Sequence, residues 1–328
     1  MNDITIVVPT YNRGEALGAI LEGLLASDHN GLGEIEIIVV DDGSPLPAAP
    51  VVSSRKVPPG FTLKCVRQEN AGPAAARNQG FAASHGDIVI FIDDDILVPP
   101  DLIRQHVEAH VLNPNAVIFG GCIAPPGAAG SHVGRLLKSL YGSQSDRPRF
   151  EHVSIIASGQ LSVERKAFPE SVYASHLRTP AAEEYELSAC LLQRGIQAIY
   201  ATQIEAIHDQ SFEISDICQQ QYKHGMGCAE AVCKLPDTLV LDELATIAAA
   251  NGLVRPHDRV ATKCKKMAKA LLAIPTVRRT LVLLCELSRR IVPSYRLNAK
   301  VLWLVIGIFF FAGYKQGLRC FGSGQKTK

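Results

Sequence analysis

Apolar and polar positions along the first 125 residues follow two alternating patterns. One is the short, mostly apolar run without strict polar alternation: ITIVVP (4–9), IEIIVV (35–40), TLKCV (62–66), DIVIFI (87–92) and AVIFGG (116–121). The other places apolar residues three or four apart and predicts helices over 15–26, 73–84 and 101–112. Strands that lack polar alternation are covered on both faces. With helices between them they predict an α/β fold, a mostly parallel central sheet flanked by helices. Residues 123–155 have no period and predict loops around a short helix near His132 to Leu140, followed by SIIASGQLSV (154–163). AEEYELSACLLQRG (182–195) predicts a helix with one apolar face and an acidic first turn, and IQAIYA (196–201) an edge strand. Helical segments over 213–224 and 236–250 close a first domain of residues 1–254.

The pattern changes beyond residue 255. TVRRTLVLLCELSRRIV (276–292) and KVLWLVIGIFFFAGYKQGLR (300–319) are apolar segments bordered by Arg278, Arg279, Arg289, Arg290, Lys300, Lys315 and Arg319. The net charge of +1 conceals a split: residues 255–328 hold 16 Lys and Arg against two acids, whereas residues 1–254 hold 17 basic and 30 acidic residues. Such a split reports an anionic partner. The uncharged run Val301–Tyr314 is 14 residues, about 21 Å as a helix, short of the roughly 20 residues of a membrane crossing. With Trp303 and basic flanks it suits an amphipathic region, 255–328, lying on an anionic membrane surface; a core helix with solvated basic ends is the alternative. No run interleaves cations with stacking aromatics, so nucleic acid is not expected as a partner. A homo-oligomer remains open.

Nine cysteines at irregular spacing do not form a disulfide framework, and MNDITIVVPT does not read as a secretory leader, so a reducing cytosol is expected. Cys228 and Cys233 near His224 lack the second ligand pair of a zinc site.

Three polar clusters fall at strand ends: Pro9–Asn12, Asp41–Ser44 and Asp93–Asp95. Ligands of such sheets bind beyond the carboxyl ends of the strands. Two carboxylates spaced i, i+2 after a buried strand can hold Mn²⁺ or Mg²⁺ bridging a diphosphate. A solvated turn that caps the following helix is the other reading.

In combination, IVVPTYNR, IVVDDGSP, ENAGPAAARNQGFAASHGDIVIFIDDDILVPPDLI, SGQLSVERKAF and EEYELSACLLQRG resemble the family 2 glycosyltransferases, whose fold is the GT-A nucleotide-diphosphosugar transferase type. The resemblance runs from residue 4 to about 230. It implies that Pro9, Tyr11 and Asp42 line the nucleotide base and ribose, and it matches Arg77 to the family's arginine. It further implies that Asp93 lies near the ribose, Asp95 binds the metal, and His208 completes the metal and phosphate site. The catalytic base would be Glu184, the second acid of Glu183–Glu184, where the family has aspartate; the family's preceding glycine is Ala182 here. The acid pair also fits simple compensation of the helix dipole, with Glu186 a third acid in that turn.

The expected activity is inverting transfer from a nucleotide-diphosphosugar, a UDP-sugar favoured, to a hydroxyl of a membrane-proximal glycan or glycolipid acceptor, on the cytoplasmic side of the membrane as a peripheral or monotopic protein. A nicotinamide dehydrogenase is disfavoured because PTYNRGEA lacks G-x-G-x-x-G. A sugar-nucleotide pyrophosphorylase-like enzyme and an inactive nucleotide- or glycan-binding scaffold are the alternatives.

Overall fold

The computed structural model describes residues 2–123, 148–153, 156, 159–208, 213–235, 247, 250–251, 259–291 and 295–322. In chain order these form β1 (Ile4–Thr10), α1 (Gly14–Leu25), β2 (Ile35–Asp41), α2 (Ala49–Ser53), β3 (Phe61–Arg67), α3 (Pro73–Ala83), β4 (Ile88–Ile92) and β5 (Ile96–Leu97). They continue with α4 (Leu102–Leu112), β6 (Val117–Ile123), β7 (Phe150–His152), β8 (Gln160–Glu164), α5 (Ala182–Arg194), β9 (Ala198–His208) and α6 (Ile214–Lys234). The last helices are α7 (Val260–Leu272), α8 (Pro275–Ile291) and α9 (Tyr295–Phe321). The predicted helix near His132–Leu140 and most of 236–250 lie outside the described residues.

One sheet runs β3-β2-β1-β4-β8-β6-β9-β5, with β7 also on β9. Side-chain alternation divides its core into two layers. Ile4, Ile6 and Val8 of β1 join Leu17, Ile20 and Leu21 of α1 and Leu102 of α4. Val7, Ile38 and Val40 join Phe81 of α3 and Leu187 and Leu191 of α5 on the other face. Burial on both sides is why these strands are mostly apolar.

The strands β1, β2, β3, β4, β6 and β9 run in one direction, so the sheet is mostly parallel as expected; β8 enters antiparallel between β4 and β6, and β5 and β7 pair antiparallel with β9. One expectation needs correction: 196–201 is not an edge strand. β9 extends to His208, with β6 on one side and the short strands β7 and β5 on the other. A register shift between Phe119 and Gly121 lets β6 follow it over this length. The sequence could not show this, because the strands that cover β9 are only two and three residues long.

The C-terminal helices pack on the sheet domain through α6. At Gly225 a Cβ would meet Phe310 O, and at Gly313 it would meet Tyr222 O, so α6 and α9 touch backbone to backbone. α9 has 27 residues, about 40 Å, longer than the predicted 300–319. By length and composition Leu297–Phe321 could cross a membrane, with mean hydropathy 1.7 and 44% of its apolar window buried inside the protein. The basic border divides into two groups. Arg278 stacks on Tyr222 and Phe309, and Lys315 on Phe311, because α6 and α9 bring rings within reach of their charges. Arg279, Lys300 and Arg319 remain exposed.

Candidate active site

The three consecutive carboxylates after β4 are tolerated because each has its own partners. Asp93 N–H donates to Gly159 O at 2.9 Å, anchoring the loop to β8. Arg77 Nη2 donates to Asp93 Oδ1 at 2.6 Å. Thr10 Oγ1 donates to Asp94 Oδ2 at 2.7 Å, and Arg13 Nη1 is shared between Asp94 Oδ1 (3.0 Å) and Asp95 Oδ2 (2.6 Å). Burial pushes Asp94 up to about 6 against the opposing pull of Thr10 and Arg13. Immediately after Asp95, β5 pairs with the end of β9, setting Ile96 opposite His208. That pairing brings His208 Nε2 to 3.6 Å from the other Asp95 oxygen, Oδ1.

A second layer comes from α3 and α5. Arg77, buried, donates Nη1 to Glu183 Oε1 at 3.1 Å while its guanidinium lies 5.4 Å from the centre of the Tyr173 ring. Burial holds both Asp93 and Glu183 above the usual carboxylate range although Arg77 favours their charged forms. The acid pair is thus divided: Glu183 turns inward to Arg77, whereas Glu184 is only half-buried. Cys122, at the end of β6, marks where the carboxylates converge. Burial, Asp93, Asp95 and Glu184 together push its thiol up to about 12.

On the β2 side, Asp42 is buried with its oxygens engaged: Gln68 Nε2 (2.7 Å) and Ala71 N–H (2.9 Å) donate to Oδ1, and Gly72 N–H (3.0 Å) to Oδ2. Pro9 is half-buried and Tyr11 half-exposed at the end of β1, where Asn12, at φ 56°, donates its N–H to Ser44 Oγ at 2.8 Å. A cavity of about 530 Å³ opens beside them, lined by Gly43, Arg67, Gln68, Glu69 and Asn70.

The Glycosyl transferase family 2 profile matches residues 5–171, more than half of the chain. The chain belongs to that family. Over 285 residues this family 2 glycosyltransferase is 25% identical to a pre-mycofactocin glycosyltransferase of Mycobacterium tuberculosis, covering 84% of this chain and 57% of that protein. Over 115 residues it is 35% identical to an undecaprenyl-phosphate 4-deoxy-4-formamido-L-arabinose transferase of Pseudomonas fluorescens, covering 35% of this chain and 34% of that one. The matched stretches therefore span less than two thirds of these relatives' own length. Its GT-A fold is shared with a mannosyltransferase from Pyrobaculum calidifontis solved with GDP-Man and Mn²⁺: TM-score 0.59, 17% identity, 97% of this chain and 87% of that one. It is shared too with GalNAc-T7 solved with UDP, GalNAc and Mn²⁺: TM-score 0.52, 14% identity, 82% and 54% covered.

A divalent cation, which the resemblance implies, fits the glycosyltransferase's residues. Among the described residues no group of three or more His, Cys, Asp or Glu is arranged as a self-sufficient metal cage. Asp95 Oδ1 and His208 Nε2 instead converge as a two-donor set. That suits a cation whose other positions go to substrate phosphate oxygens and water. The nearby residues not foreseen as site residues in the family 2 chain were Thr10, Arg13, Glu183 and Tyr173. Arg13, the cation following β1, and Glu183, the first of the acid pair, were visible in the sequence; Thr10 and Tyr173 left no signal there.

Proposed function

We propose that the protein transfers a sugar from a nucleotide-diphosphosugar, a UDP-sugar first among candidates, to a hydroxyl of a glycan or lipid-linked acceptor at a membrane surface, with inversion. The observation that carries this reading is the meeting of Asp93, Asp95, Arg77 and His208 at the strand ends of a family 2 chain. Pro9, Tyr11 and Asp42 bound the nucleotide pocket, and Asp93, oriented by Arg77, receives the ribose. Asp95 and His208 hold Mn²⁺ or Mg²⁺, in keeping with the Mn²⁺ named for both solved relatives. When bound, the cation supplies Lewis-acid stabilisation of the departing diphosphate. Glu184 takes the proton of the acceptor hydroxyl as it attacks the anomeric carbon from the opposite face. Glu183 is committed to Arg77, which favours its neighbour as the base. A single in-line displacement inverts the configuration.

The acceptor's membrane location is favoured by the C-terminal surface. Met267, Leu271, Leu283, Leu284, Trp303 and Leu304 are exposed there among Lys265, Arg279 and Lys300. We assign the protein to the cytoplasmic face as a peripheral or monotopic species. The test is calorimetry with Mn²⁺ and a panel of UDP-, GDP- and dTDP-sugars on the parent and on D95A. A donor bound by the parent in a Mn²⁺-dependent way and lost in D95A supports the reading. Unchanged affinity in D95A overturns it.

A further inference from the structure

The segment that introduces the acid pair, residues 178–182, precedes α5 and is squeezed between the donor loop and α6. On the donor side Gly72, at φ 93°, lies against Arg178, where a Cβ would fall 3.3 Å from Arg178 O. The same Gly72 gives its N–H to Asp42, so the nucleotide side and this segment abut directly. On the α6 side, Gly227 leaves no room for a Cβ against Pro180 O and would set one 3.0 Å from Ala182 N. Between them Ala181 holds a left-handed φ of 72°, a conformation that is costly for a non-glycine residue and persists only where the surroundings enforce it.

One charged group grips the start of this segment. Glu230 of α6 is fully buried, a costly place for a carboxylate without partners. It accepts the backbone N–H of Thr179 at 2.8 Å and of Arg178 at 3.4 Å, with Lys234 Nζ at 2.5 Å as counter-ion. α6 is in turn fixed on its other side by α9 at Gly225 and Gly313. The buried carboxylate holds this segment three and four residues ahead of the start of α5.

We propose that Glu230 is a positioning residue for the acid pair: by holding the amides of Arg178 and Thr179 it sets where Glu184 stands relative to the donor. This deepens, and rests on, the transferase reading. A misplacement on the order of 1 Å at a catalytic group costs about 10²-fold in rate. The experiment uses the full chain with Mn²⁺ and two probes, UDP-glucose and GDP-mannose, following slow donor hydrolysis, UDP binding by calorimetry and amide exchange. E230A should lose about 10²-fold in kcat with KM and UDP affinity within about twofold. E230Q, which keeps one acceptor oxygen, should lose only about tenfold. Exchange at residues 178–183 should quicken while the amides of β1 and β2 stay protected. The inference falls if E230A keeps the parent kcat, or if its KM and UDP affinity collapse together with kcat. Should E230A fail to fold, parent-like kcat and exchange in E230Q overturn it equally. If the parent neither binds nor hydrolyses either probe, the donor reading fails, and exchange at 178–183 in the variants still decides the role of Glu230.

Discussion

The strand-end site and the C-terminal helices distribute charge and apolar surface in opposite ways. At the site, charges close on one another: Asp93 and Glu183 on Arg77, Asp94 and Asp95 on Arg13, Asp41 on Arg67. The apolar residues beneath them are buried in the two core layers. In the C-terminal helices Lys266 is buried and Arg278 stacks on two rings, while leucines and a tryptophan face outward beside exposed Lys265, Arg279 and Lys300. A polar site satisfied internally is preorganised for a ligand that replaces those contacts. An apolar surface left open by the chain's own packing calls for a partner outside it.

That contrast can be broken most sharply at the acid pair. E184Q should retain donor binding and lose transfer by about 10²-fold or more, the scale of a removed general base. E183Q leaves Glu184 in place and should retain most of the rate. Because it weakens a buried contact to Arg77, it should instead lower stability, by about 1–3 kcal/mol in urea titration. A dead E183Q with an active E184Q would reverse the assignment of inward and outward roles.

A second test separates the regions mechanically. Gly313 has no room for a side chain against Tyr222 O, so Gly313→Leu should force α9 off α6 at a cost of about 1–3 kcal/mol. The chain has one tryptophan, Trp303, which lies on α9 and reports the change by fluorescence; an unchanged spectrum and stability would contradict the close packing.

The open face comes next. With anionic vesicles the Trp303 emission should shift to the blue and the protein should sediment, staying largely bound at high salt because inserted apolar groups are not screened. Leu283, Leu284 and Leu287 are exposed on α8. Changing all three to Ser should weaken the partition by at least about tenfold, since each buried leucine contributes roughly 1.5–3 kcal/mol when fully desolvated. Parent protein that stays in the supernatant would leave the face to another chain.

A last test concerns pH and the sheet below the site. His106 Nε2 donates to Gln160 Oε1 at 2.7 Å, Ser162 Oγ donates to His106 Nδ1 at 2.9 Å, and His110 Nε2 donates to Ser162 Oγ at 2.8 Å. Burial lowers both rings from 6.5 to about 4. Between those values the unfolded chain binds more protons than the folded one. Stability should therefore fall as pH drops through that window, by about 1.4 kcal/mol per unit for each ring. Urea titrations at pH 7.5 and 5 should show a shallower dependence in H106Q/H110Q than in the parent; equal slopes would mean the rings are not held neutral.

Much of the sheet domain was legible in the sequence because its determinants are local. ITIVVP, IEIIVV and DIVIFI are buried on both faces and so are apolar apart from one residue each, Thr5, Glu36 and Asp87, and the ends of such strands lie where this fold class binds ligands. Pro9, Tyr11, Asp42, Arg77, Asp93, Asp95, Glu184 and His208 could be named from motifs in that order. Their contacts could not. Asp95 meets His208 only because a two-residue strand, too short to leave a period, pairs with the end of β9. Which glutamate faces Arg77 depended on the rotation of α5 about its axis. Glu230 gave no sign at all, since a carboxylate in an amphipathic helix looks the same whether solvent or a turn's amides receive it. The sequence by itself determined the strands, the helices and the residue types at the ligand edge, because burial and periodicity act over a few neighbouring residues. Only the tertiary structure decided which charges neutralise one another and which apolar faces stay open, because those depend on groups far apart in the chain, such as Asp95 and His208, 113 residues apart and 3.6 Å from each other in the fold.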